Sequence, residues 1–183
     1  MDSRSPITGV GREAALRESM CALWQEAFGD DRQFIMHYLC HYSHPHNRIL
    51  RFGSDGNRVV AMMHWHEFTF GQQPVGEEPL VALSPMPQHL AGCRGAYIYG
   101  VATARAWRGH GLARAMIAEA AATMRRCGTH YAMLIAEEPS LRQWYATMGF
   151  TLCEGCTATI TAPCGTNLAL DDTALCVPMI ARL

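Results

Sequence analysis

Ala96-Tyr97-Ile98-Tyr99-Gly100-Val101-Ala102-Thr103, the turn Ala104-Arg105-Ala106-Trp107, and then Arg108-Gly109-His110-Gly111-Leu112-Ala113 decide the reading of this chain. The first segment is a continuous apolar run with aromatic and β-branched residues, as expected of a buried strand. From about His110 to Cys127 the period changes: Leu112, Met116, Ile117, Ala120 and Met124 recur at helical spacing, and Gly128 stops the helix. A helix start carries unsatisfied N–H groups and a partial positive charge. Gly109 and Gly111 remove side chains where phosphates must approach the backbone, and Arg108 adds a fixed charge. Together these make an anion site suited to a pyrophosphate. It is not a dinucleotide fingerprint, because G-x-G-x-x-G is absent, nor a Walker loop, because no G-K-[ST] follows. The bland alternative is an ordinary βα turn holding two glycines, and on the glycine pattern alone it would prevail.

Upstream, residues 12–28 read as an amphipathic helix with Leu16, Met20, Leu23, Trp24, Ala27 and Phe28 inward, ended by Gly29. Asp30 is the expected N-cap of a second helix, with Gln33 completing a capping box and Phe34, Ile35, Tyr38, Leu39 and Tyr42 on one face. Pro45 closes that helix. His46–Phe52 reads as a strand, and Gly53-Ser54-Asp55-Gly56-Asn57 as a turn. Val59–Phe70 is a long strand. Gly71–Pro79 is turn-rich, and Leu80–Leu83 is a short strand before a Ser84–Gly95 loop. Downstream, Tyr131–Ala136 is another buried strand. Pro139 opens a helix with Leu141, Trp144, Tyr145 and Met148 inward, and Gly149 ends it. Phe150–Thr161 and Ala174–Ile180 read as the last strands. The order predicts one mixed α/β domain over 1–183.

The 183 residues suffice for one sizeable core, and 49% hydrophobic with 17% charged is a globular balance. Fifteen Lys+Arg against sixteen Asp+Glu leave a net charge of -1, so no basic excess points to nucleic acid or to a membrane surface. Arg12, Glu13, Arg17 and Glu18 break the first apolar stretch, so it is no signal-peptide core, and no run is long enough to span a bilayer. The expectation is a soluble, cytoplasmic protein. Its eight cysteines are then read as reduced thiols rather than a disulfide framework.

Arg108-x-x-Gly111-x-Ala113 resembles the R/Q-x-x-G-x-G/A signature of the GNAT superfamily of acetyltransferases, and it sits between a buried strand and a long helix as in that family. Leu141-Arg142-Gln143-Trp144-Tyr145-Ala146-Thr147-Met148-Gly149-Phe150 resembles that family's L-x-x-F-Y-x-x-x-G-F segment. Leu23–Asp30 and Tyr99–Thr103 resemble a bacterial branch related to the Eis-like acetyltransferases. The turn before Arg108 lacks the proline that many members carry. Eis-type proteins also have further C-terminal domains, so no mechanism that needs them is carried over. The resemblance implies a mixed, mostly antiparallel splayed sheet flanked by helices. It also implies acetyl transfer from acetyl-CoA to a primary amine on a small molecule or peptide, by direct attack.

By the same resemblance, backbone groups of Arg108, Gly109, His110, Gly111, Leu112 and Ala113 would bind the pyrophosphate. Val101, Ala102 and Thr103 would pair with the pantetheine arm. Tyr145 would donate a proton to the departing thiolate, against the plain reading that it is a core residue. Glu137 is the best single choice of general base, ahead of His64, His66, Glu67 and Glu138. A non-catalytic acyl-CoA sensor and a transferase for longer acyl groups are the alternatives. A monomer and a homodimer are both compatible with the sequence. No metal is expected. His37, Cys40, His41, His44 and His46 crowd one segment without an H-E-x-x-H pattern. Cys153-x-x-Cys156 falls on an expected strand rather than at a thioredoxin-type helix start, so buried thiols are its better reading.

Overall fold

The computed structural model describes residues 9–41, 50–52, 58–74, 78–161 and 176–183. Tyr42, Pro45 and the expected turn at Gly53–Asn57 lie outside them, as do His44 and His46, the start of the first expected strand and residues 174–175 of the last. In chain order the elements are α1 (Gly9–Phe28), α2 (Arg32–His41), β1 (Leu50–Phe52), β2 (Ala61–Thr69), β3 (Leu80–Ser84) and β4 (Arg94–Thr103). A 3-10 turn at Arg105–Trp107 follows, then α3 (Leu112–Arg126), β5 (Tyr131–Ile135), α4 (Pro139–Ala146), β6 (Thr151–Leu152), β7 (Thr157–Thr161) and β8 (Pro178–Arg182).

The strands form a six-stranded sheet in the order β1-β2-β4-β5-β8-β6 and a two-stranded sheet, β3-β7. β1–β2, β5–β8, β6–β8 and β3–β7 are antiparallel, whereas β4–β5 is parallel. That parallel pair covers Gly95↔Tyr131, Ala96↔Ala132 and Tyr97↔Met133 and then stops. β5 nevertheless continues alongside β8 as far as Ile135↔Pro178. The sheet is therefore splayed after Tyr97, because β4 and β5 run on without bonding each other. The mixed α/β order agrees with the element pattern of the sequence, and the mostly antiparallel splayed sheet flanked by helices is what the family resemblance implied.

The chain divides into two compact units, residues 1–64 with 100–116, and 65–99 with 117–183. In the first, α1 buries Met20, Cys21, Leu23 and Trp24, and α2 buries Ile35, Tyr38 and Leu39. Phe28, expected inward, is 48% exposed, because α1 ends there and Gly29 turns the chain away with φ 76°. The expected N-cap shifts by one residue. Asp31 accepts from the N–H groups of Gln33 (2.7 Å) and Phe34 (3.2 Å), as a cap should. Asp30 instead accepts from the Trp24 indole at 2.7 Å, satisfying a donor on a buried ring.

In the second unit Trp65, Phe68, Phe70, Met124, Met133 and Met179 are buried. Leu141, expected inward on α4, is 45% exposed, since this short helix buries Tyr145 instead. The single strand expected over Phe150–Thr161 is in fact two, β6 and β7, broken by a turn at Cys153–Cys156.

His66 lies on β2 at 2% exposure, and burial lowers its pKa from 6.5 to about 4. The unfolded chain therefore binds a proton between these values that the folded chain does not, so stability is full above pH 6.5 and falls as pH drops toward 4. At pH 5 the loss is about 2 kcal/mol. Urea unfolding at pH 7 and pH 5 should show this drop, and His66→Gln should flatten it.

Candidate active site

The C-terminal end of β4 is shaped by Gly100. It takes φ 61° inside a strand, which L-residues rarely adopt, and a Cβ there would lie 3.1 Å from His64 Cδ2 and 3.5 Å from the Trp24 ring. A positive-φ residue in a strand re-aims the residues that follow, as a bulge does. Those residues are Val101, Ala102 and Thr103. Ala102 is buried, and Val101 and Thr103 are half-buried on the opposite face.

The chain then leaves the strand under restraint from both sides. Ala104 donates its N–H to Val60 O at 2.9 Å, and Arg105 donates its N–H to a Glu26 carboxylate oxygen at 2.7 Å. The 3-10 turn closes with Trp107 N–H on Ala104 O, and the Arg108 Nε–H folds back onto Thr103 O at 3.1 Å. His110 Nδ1 lies 3.2 Å from Trp107 O and 3.0 Å from Arg108 O. Since carbonyls only accept, Nδ1 carries the proton. Two side chains of the motif are thus spent on holding the loop's own backbone.

This restraint sets out a row of main-chain donors. The helix ladder begins with Ala115 N–H on Gly111 O. Among the described residues, no hydrogen bond is made by the N–H groups of Gly109, His110, Gly111, Leu112 and Ala113. Gly109 (φ 79°) and Gly111 (φ 75°) both need the left-handed region, and a Cβ built on either meets nothing within 4 Å. The space beside the two glycines is therefore open, and the α3 dipole adds positive potential at the helix start. An anion with several oxygens matches this arrangement.

Tyr145 and Glu137 belong to the second unit, at opposite ends of α4. Pro139 is the first residue of that helix, where its missing N–H costs nothing. Glu137 precedes it and is exposed. Nearby, Arg142 donates its Nε–H to Ala136 O at 2.7 Å. The Cys176 thiol is pushed up by burial first and then by the Glu137 carboxylate, against an opposing pull from Arg142. Tyr145 sits between Trp144 and Phe150 (ring centroids 4.8 and 5.8 Å away), and burial pushes its phenol up to about 12. The alternatives for the base diverge: His64 and His66 are buried, Glu67 pairs with Arg94 at 3.0 Å, and Glu138 is exposed at the head of α4.

The family model for Acetyltransferase (GNAT) family matches residues 14–150, spanning both motifs. The chain belongs to the GNAT acetyltransferase family. Solved GNAT structures resemble it in fold at low identity. NAA60 of Arabidopsis thaliana in complex with a bisubstrate analogue is 11% identical with a TM-score of 0.60, over 92% of this chain and 94% of that one. YhbS of Escherichia coli in complex with CoA is 13% identical with a TM-score of 0.57, over 91% and 76%. The PaiA N-acetyltransferase of Thermoplasma acidophilum in complex with coenzyme A is 9% identical with a TM-score of 0.53, over 95% and 94%. No curated protein matches the sequence.

Two residues of this candidate site are not singled out by the sequence analysis. Gly100 carried a signal, being an isolated glycine within a strand pattern. Glu26 carried none, because it is 79 positions from the N–H it holds. A hydrogen bond to a charged acceptor contributes about 1.5–3 kcal/mol. Glu26→Ala should therefore raise exchange at the Arg105 amide by about tenfold or more, read by hydrogen–deuterium exchange, with little change in α4.

Proposed function

We propose that this chain is a single GNAT domain that transfers an acetyl group from acetyl-CoA to a primary amine. The observation that carries this reading is the row of N–H groups from Gly109 to Ala113, at the start of α3, that have no partner among the described residues. In this reading they bind the pyrophosphate, with Arg108 and His110 keeping the loop in shape. Val101, Ala102 and Thr103 offer backbone groups to the pantetheine arm as a neighbouring strand would. An N–H near Val101 polarises the thioester carbonyl.

The acceptor amine attacks the carbonyl carbon, and the tetrahedral intermediate then breaks its C–S bond to release the coenzyme A thiolate. Glu137 takes the proton lost by the amine. Tyr145 has the role of donor to the sulfur. Its phenol is held at about 12, so it remains O–H throughout the neutral range. Complete transfer to a thiolate whose thiol titrates near 8.5 would be uphill by roughly 3–4 pKa units, or about 5 kcal/mol. Tyr145 thus serves as a hydrogen-bond donor to the leaving sulfur, and solvent completes the protonation. The acceptor is a small molecule or a peptide amine, and its identity is open to screening.

Two substitutions test the reading. Gly111→Ala places a methyl group in the open space and strains a φ of 75°. The strain costs about 1–2 kcal/mol of stability, whereas calorimetry should find coenzyme A affinity lowered well beyond that. Equal losses, or unchanged binding, would remove the pyrophosphate site. Tyr145→Phe should lower kcat roughly 10- to 100-fold, the value of one hydrogen bond to a charged group, with little change in coenzyme A binding. A thiol-release assay over a panel of amines reads both. Acetyl-CoA binding without transfer to any amine would mark a sensor instead.

A further inference from the structure

Cys153-Glu154-Gly155-Cys156 forms the connection between β6 and β7 rather than part of a strand. Cys156 donates its N–H to Cys153 O at 3.1 Å, and Gly155 takes φ 77°. These are the marks of a β-turn that needs positive φ at its third position. Such a turn holds its first and last Cα atoms within about 7 Å, and a disulfide spans about 4.4–6.8 Å between Cα atoms. The turn is anchored on both flanks. Cys153 donates its N–H to Pro178 O at 2.9 Å, and Ala158 donates to Cys176 O at 3.1 Å. Its ends are therefore held together before any bond joins them. Cys156 is buried and Cys153 is half-buried, so a reagent in solution meets Cys153 first.

We propose that Cys153 and Cys156 are a reversible dithiol–disulfide modification site, oxidised by small-molecule disulfides. The Cys153 thiolate attacks one sulfur of the reagent, forming a mixed disulfide and releasing one thiolate. Cys156 loses its proton to solvent and attacks the Cys153 sulfur, displacing the second thiolate. The protein gives up two hydrogens, and the reagent is reduced to two thiols. A reducing thiol runs the same steps backward.

Oxidation ties the strand that pairs with β8 to the strand that pairs with β3. The pair is slow by construction. Burial first, and then the hydrogen bond with the Cys156 thiol, pushes Cys153 up to about 12. The thiolate is the nucleophile, so oxidation is sluggish at pH 7 and rises by about tenfold per pH unit. This suits a modification that accumulates under sustained oxidation rather than a turnover dithiol.

The test treats the whole protein with glutathione disulfide, quenches with acid, alkylates after denaturation and maps peptides by mass spectrometry. The peptide carrying both residues should lose the mass of two hydrogens and resist alkylation until reduced. Cys156→Ser should instead retain glutathione on Cys153. As a measurement that needs no variant, phenylarsine oxide, which bridges paired thiols, should protect Cys153 and Cys156 together from alkylation. Free alkylation of both residues after either reagent, or pairing of either with another cysteine, would overturn the proposal.

Discussion

Main-chain N–H groups must find acceptors, and the fold is organised around a place where several do not. From Gly109 to Ala113 the backbone turns into α3 with N–H groups that no described residue accepts from. Leaving them there is tolerable because the loop is fixed from behind. The Ala104 and Arg105 amides go to Val60 and Glu26, while Arg108 and His110 use their side chains on the loop's own carbonyls. The motif arginine and histidine therefore read most simply as architecture. In the proposed reading anion binding would rest on the backbone, which substitution of side chains alters little and substitution of glycine alters greatly.

Legibility in the sequence followed the range of the interaction. Elements set by local periodicity were readable: α3 buries Met116, Ile117, Ala120 and Met124 as its spacing implied, and Pro139 opens α4. The glycine-bearing helix start was readable too, because its conformation depends on the residues that form it. What failed depended on tertiary choices. Asp30 and Asp31 are equivalent as caps until the Trp24 indole claims one of them. Phe28 and Leu141 fit their apolar faces by period, yet each lies near a helix end where it is only partly covered, Phe28 by the edge of the Trp24 ring. The Phe150–Thr161 run has strand composition throughout, and the turn within it is signalled by Gly155 alone.

The candidate site divides in the same way. The loop residues were identifiable from a short pattern, whereas Glu26 entered through a contact 79 residues away that no pattern announces. Tyr145 was placed by register with a family motif, but the sequence held no information on its ionisation. Burial against Trp144 and Phe150 supplies that, and it is why the proposed role of the phenol is hydrogen-bond donor rather than acid.

The parting of β4 and β5 after Tyr97↔Met133 also bears on solubility. A sheet margin is where foreign strands dock and fibrils nucleate. Here a frayed seam opens in the middle of the sheet, with β8 still zipped along the other side of β5. The unbroken β8 pairing, from Tyr131↔Arg182 to Ile135↔Pro178, covers the other edge of β5 along its whole length, so that edge offers nothing to a foreign strand.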